Sequence, residues 1–147
     1  MYLELKRSPQ DTKLYALEGV GKVRIEGRFA TRATAEVSAD RWDFDRRGLR
    51  GPLRATDAAG EMTGKYWPLL YGGGTLTWRR HELAVRRAST GPERYALADG
   101  DRELALFDAR GWGKEPVRIS LEGLEDVEPA LLLFAAWVVR VLPPGGS

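Results

Sequence analysis

Apolar and polar residues alternate along most of the chain. Val23 and Ile25 are interleaved with Lys22, Arg24 and Glu26; Ala33, Ala35 and Val37 with Thr34 and Glu36; Trp42 and Phe44 with Arg41, Asp43 and Asp45. The same period of two runs through Leu76–Trp78, Leu83–Arg86, Leu104–Leu106 and Val117–Leu121. Successive side chains of an extended chain point to opposite sides, so this pattern marks strands with one buried and one wet face. Clusters of Gly, Pro and Asp fill the gaps and act as turns. The spacing predicts twelve strands, near residues 2–7, 14–18, 22–28, 33–38, 41–46, 53–58, 61–67, 74–80, 83–88, 93–98, 102–108 and 115–121. The strand over 61–67 runs into Pro68, which lacks a ladder donor.

The last segment breaks the pattern. Leu131 to Val139 is apolar throughout, with neither two-fold nor one-sided polarity, and a helix apolar on every side is a buried one. The expected helix covers 127–142, with Asp126 as N-cap, Glu128 and Pro129 in the first turn, Arg140 in the last, and Pro143-Pro144-Gly145-Gly146 as the stop. At about 24 Å it falls short of the roughly 20 apolar residues that a membrane span needs. A transmembrane protein is therefore not expected. The fold class is all-β with one helix: an antiparallel barrel of about twelve strands, too wide to be filled by its own side chains, enclosing the hydrophobic C-terminal helix.

A repeat overlies the alternation. Residues 46–61 set against 86–101 share seven identities, including Gly51/Gly91, Pro52/Pro92 and Arg54/Arg94; residues 3–17 against 83–97 share five, including Tyr15/Tyr95 and Leu17/Leu97. The chain divides into three units of about forty residues. A β-trefoil has the same unit count but leaves the apolar helix without a place. The repeat puts Lys6-Arg7, Arg46-Arg47 and Arg86-Arg87 at equivalent positions and predicts that the three pairs share one register and converge on one end of the barrel. These six residues are the candidate anion- or lipid-binding site.

Composition adds limits. The 147 residues form one domain of ordinary size with no low-complexity block, and the lack of cysteine excludes disulfides, thiolate metal sites and thiol nucleophiles. A reducing, cytoplasmic setting fits, and the alternating N-terminus does not resemble a signal peptide. The net charge of +2 is too small for a dedicated nucleic-acid binder, so nucleic acid is disfavoured as a partner. Basic residues are mostly arginine, which pairs bidentately with carboxylate and phosphate.

No catalytic set emerges. His81 is the only histidine and sits among Arg79, Arg80 and Glu82 in an expected turn; Ser8, Ser38, Ser89, Ser120 and Ser147 lie in no nucleophile elbow; Gly72-Gly73-Gly74 opens no phosphate-binding helix. The expectation is a protein that is not an enzyme and has no metal site or cofactor. Trp67 and Trp112 fall in Gly- or Pro-rich connections, where they serve either as barrel plugs or as interface residues.

Strand count, helix position, Arg47-Gly48-Leu49 after a strand and Tyr95-Ala96-Leu97-Ala98-Asp99-Gly100 in a hairpin together resemble the tubby C-terminal-like fold, shared by tubby, the phospholipid scramblases and the plant LURP-one-related proteins. The likeness covers the whole chain and is to a small, single-domain, bacterial-type member. It implies a twelve-stranded barrel around a hydrophobic helix and a role in binding anionic lipid head groups. The scramblase cysteine clusters are missing, so that activity is not implied. The functional expectation is a non-catalytic binding module for an anionic lipid or membrane surface. The alternatives are a protein-interaction or structural module and a trefoil-type ligand-binding domain.

Overall fold

The computed structural model describes residues 1–26, 31–46, 51–69, 73–88, 94–109 and 116–141. Its elements are β1 (Tyr2–Arg7), β2 (Leu14–Leu17), β3 (Gly21–Glu26), β4 (Arg32–Val37), β5 (Asp40–Arg46), β6 (Leu53–Thr56), β7 (Met62–Pro68), β8 (Gly74–Trp78), β9 (His81–Arg87), β10 (Arg94–Asp99), β11 (Arg102–Asp108), β12 (Val117–Ser120) and the helix α1 (Pro129–Val141). Each strand pairs antiparallel with its neighbours in sequence, and β12 returns to β1 to close the barrel. This single ring of twelve sets the trefoil aside.

Alternation sorts the wall as the sequence pattern requires. Leu5, Val23, Ala33, Ala35, Phe44 and Leu76 are buried, while Lys22, Glu36, Arg41 and Asp43 between them face outward. Pro68 is tolerated because it closes β7, opposite Gly74. Bulges place an extra residue in β7 at Thr63, opposite Ala55 and Thr56 of β6, and in β11 at Leu104, opposite Leu97 and Ala98 of β10. Leu53 and Tyr95 both open the register opposite an arginine of the preceding strand, so the two bulges occupy equivalent places in the second and third units.

Residues 130–139 of α1 are all buried, and the helix packs against β3, β4 and β7. These walls turn small residues inward: Gly21, Ala33, Ala35 and Gly64. A Cβ on Gly21 would lie 2.3 Å from the Glu36 carbonyl oxygen and 3.1 Å from Leu133 Cδ1; one on Gly64 would lie 2.5 Å from the Trp78 ring. The helix therefore leans on the small-residue side of the lumen. Phe44 packs on Phe134 and Trp137 with ring centroids 5.2 and 5.7 Å apart, and Trp78 stacks on Trp42 at 5.4 Å.

The helix start differs from the sequence expectation. Asp126 ends a 3₁₀ turn, Leu124–Asp126, and pairs with Arg102 at 3.1 Å. The N-cap place falls to Glu128, whose carbonyl accepts the first helical bond from Leu132 at 3.0 Å, and Pro129 takes the first helical position, where its missing N–H costs nothing. The helix thus begins at Pro129 in place of 127 and is described to Val141, residue 142 lying outside the described residues.

Candidate functional site

Antiparallel closure gives the barrel two unlike ends. Odd-numbered strands finish at one end, where the connections 8–13, 27–31, 47–52, 69–73, 88–93 and 109–116 are five to eight residues long. The connections between strands at the other end span only two to five residues, before 121–128 leads into α1. By sequence, the longer connections carry six basic residues (Lys13, Arg28, Arg47, Arg50, Arg110 and Lys114) against three acidic ones. The opposite end carries eight acidic residues, among them Asp57, Asp101 and Asp126, against Arg79 and Arg80 alone. By sequence, the two sets of connections are thus of opposite charge, although the net charge is only +2, and Arg28, Arg47, Arg50, Arg110 and Lys114 lie outside the described residues.

Because β12 finishes at the acidic end, α1 starts there and rises toward the basic end. Its aromatic contacts follow the same course. Phe134 lies 5.8 Å from Trp78, at the acidic end of β8, and Trp137 one turn later meets Phe44 near the basic end of β5. The helix C-terminus, the negative pole of its dipole, thus points toward the end where Arg7, Arg46 and Arg87 finish their strands.

The six candidate residues divide by face. Arg7 continues the inward series Leu3 and Leu5 and pairs opposite Tyr15; Arg46 continues Trp42 and Phe44 opposite Leu53; Arg87 continues Leu83 and Val85 opposite Tyr95. All three finish their strands at the basic end. Lys6 and Arg86 point outward: Lys6 lies 3.8 Å from Glu4, and Arg86 donates to the Gly100 carbonyl. Arg47 lies outside the described residues.

The expectation of one shared register is thereby corrected. A strict offset of forty aligns Arg46 with Lys6 and Arg86, which occupy the other face. The strand ends that correspond are Arg7, Arg46 and Arg87, so the middle unit is shifted by one residue, and in a strand one residue changes the face.

Nor do the arginines form a compact pocket. β1, β5 and β9 are four steps apart around the ring. Twelve tilted strands about 4.8 Å apart enclose a wall roughly 22–26 Å across, so these three backbones stand roughly 20 Å from one another. The arrangement is a spaced ring around the helix end. Arg7 and Arg87 are exposed; Arg46 is half-buried, its Nε shielded from solvent.

Other arginines are committed to the outer wall. Arg54 holds Asp45 with two bonds of 3.0 and 3.2 Å, and Arg94 lies 3.3 Å from Asp108. The Lys13 N–H and the Arg24 guanidinium hold the Asp11 carboxyl below its usual range. A depression of about 420 Å³ on the outside of β2–β5 is lined by Lys22, Arg24, Glu26, Glu36 and Arg41, with both signs present and no preference for an anion.

His81 opens β9 on the exposed surface, with Nε2 2.9 Å from Asp99 Oδ2. Among the described residues no three His, Cys, Asp or Glu side chains form a metal-binding group, and no helix is long and apolar enough to cross a membrane. Trp67 faces outward and exposed on β7, so it is not a plug; Trp112 lies outside the described residues. The opposed charge of the two sets of connections is not legible in sequence order alone. That signal sits in the connections and becomes visible once strand order assigns each to an end.

Compared with protein-family models, curated proteins and solved structures, the chain matches none.

Proposed function

We propose that the protein is a non-catalytic binding module that presents its basic end to anionic lipid head groups at a membrane surface, from the cytoplasmic side. The observation that carries this reading is the arginine rim. Arg7, Arg46 and Arg87 finish three strands spaced evenly around one end of the barrel, and acidic connections, with Asp57, Asp101 and Asp126, occupy the other. A ring of separated cations suits a broad negative surface better than a single phosphate, because each charge meets a different head group and long-range attraction orients the molecule on approach. The likeness to the tubby C-terminal-like fold belongs to the same proposal. It is supported by the closed twelve-stranded wall around a C-terminal helix, while the spaced arginines differ from a head-group pocket.

The test is co-sedimentation with phosphatidylcholine vesicles with and without phosphatidylserine. The parent is expected to bind the anionic vesicles at low salt and to be released by added salt. Replacing Arg7 and Arg87 together by Ala should weaken binding by about 1 kcal/mol per charge near the surface. Equal binding of parent and double variant at low salt would refute the rim's role.

A further inference from the structure

Near the rim, β7 exposes apolar side chains. Its inward series is Gly64 and Tyr66; its outward series is Thr63, Lys65 and Trp67. Trp67 is 48% exposed, and Leu69, just past the strand end, is 63% exposed. β7 is odd-numbered, so both lie at the basic end. The Leu69 N–H donates to the Gly73 carbonyl at 3.0 Å, one step beyond the Pro68–Gly74 pair, which holds Leu69 at the base of the β7–β8 connection. The Lys65 ammonium sits 4.3 Å from the Trp67 ring centroid, and Lys65 itself lies two positions back along the strand from the barrel end. In sequence, Leu70 and Tyr71 follow.

The remaining large exposed apolar side chains among the described residues, Met1, Tyr2 and Met62, belong to strand starts at the acidic end. Trp67 and Leu69 are therefore the exposed apolar pair that shares an end with the arginine ring. An indole beside an ammonium, with an aliphatic side chain ahead of both, has the amphipathic order of a membrane interface: charge at the phosphates, indole at the head-group level, aliphatic carbon deepest. A protein partner would also accept an exposed aromatic, but Lys65 beside Trp67 and the strand-end arginines Arg7, Arg46 and Arg87 at the same end favour an anionic bilayer by charge complementarity.

We propose that Trp67 and Leu69 form an insertion point that enters the interface of an anionic bilayer, so that the barrel stands on its basic end with β7–β8 as its deepest edge. This inference rests on the reading of the basic end as a lipid-binding surface and adds the apolar contact and the orientation. Charge brings the molecule to the membrane, and burial of the two side chains slows its release.

The experiment uses the full chain with vesicles of phosphatidylcholine alone and of phosphatidylcholine with phosphatidylserine, in each case with and without brominated acyl chains. Trp67→Phe isolates the signal of Trp67 by difference, and Leu69→Glu removes the apolar tip at an exposed site where folding is not at stake. The expected result is binding to the anionic vesicles that Leu69→Glu weakens by about tenfold, bromine quenching of the parent, and loss of that quenching in Trp67→Phe. Binding that Leu69→Glu leaves unchanged, with no quenching from Trp67, overturns the insertion point while the electrostatic reading stands. Equal binding to neutral and anionic vesicles, abolished by Leu69→Glu, overturns the electrostatic reading and retains insertion. A parent that binds neither vesicle overturns both.

Discussion

Arg79 and Glu128, 49 positions apart, form a two-pronged ion pair: Nε donates to Oε2 at 2.9 Å and Nη2 to Oε1 at 2.8 Å. Glu128 also accepts from the Trp78 indole N–H. One carboxylate thus ties the end of β8 and its turn to the first residues of the buried helix. Between Arg79 and Asp126, which holds Arg102, the helix start is anchored to two strands at the acidic end.

This clamp predicts acid sensitivity. The Arg79 guanidinium, above all, holds the Glu128 carboxyl below the usual glutamate range. A carboxyl whose pKa is depressed by folding adds stability that is complete above its unfolded value and is lost as pH falls through the folded value. The thermal midpoint of the parent should therefore exceed that of Glu128→Gln near neutrality, and the gap should close as pH falls below the usual glutamate range and through the depressed value of Glu128. Arg79→Ala should cost about 1 kcal/mol, a modest figure because both side chains are partly exposed. A gap that does not vary with pH would show that the carboxylate charge contributes nothing.

The turn that carries the clamp is strained. Arg79 and Arg80 have φ of 48° and 69°, in the left-handed region that favours glycine. Two such residues in a two-residue hairpin turn suit the twist of the flanking strands, but a Cβ makes each unfavourable. Arg80→Gly keeps the clamp and should stabilise the protein by about 1 kcal/mol in chemical denaturation. A loss of stability would mean that Arg80 makes a contact worth more than the strain.

Tyr66 is fully buried beneath the rim, and its hydroxyl finds no hydrogen-bond partner among the described residues. Burial, and next the neighbouring Tyr95, push its pKa far above the usual phenol range, so it stays neutral at any ordinary pH. Tyr66→Phe removes an unsatisfied group and should leave stability unchanged or raise it by about 1 kcal/mol. Gly74→Ala should do the reverse, because a Cβ there would lie 2.1 Å from the Trp67 carbonyl oxygen and 2.7 Å from the Tyr66 ring, forcing the backbone to shift at a cost of about 1–3 kcal/mol. Equilibrium denaturation of both variants checks the pair.

The helix is a folding element. Trp137 is fully buried against Phe44 and Phe134, so Trp137→Ala should cost about 3–5 kcal/mol. A chain ending after Leu124 should be insoluble or molten, since the inward faces of all twelve strands would lose their cover. A truncated protein that remains monomeric with an unchanged near-UV spectrum would refute this role.

Much of the architecture is local and was therefore legible in the sequence. The period of two in Val23–Ile25, Trp42–Phe44 and Val117–Ile119 follows from the geometry of an extended chain, so it reports strand number and facing without knowledge of partners. The unbroken apolar run Leu131–Val139 announces a buried helix for the same reason, and a ring of twelve strands needs such a filling. What the tertiary structure decided is relational. The helix leans toward β3, β4 and β7 because Gly21, Ala33, Ala35 and Gly64 leave room there, and no single strand's pattern records the size of the residues facing it across a lumen. Arg46 stands with Arg7 and Arg87, and not with Lys6 and Arg86, because ladder pairing sets each strand end and a one-residue shift reverses the side chain. The place of Trp67 and Leu69 at the same end as Arg7, Arg46 and Arg87 arises only when antiparallel pairing of each strand with the next assigns every strand end to one side of the ring, since charge acts through space and sequence order does not measure distance.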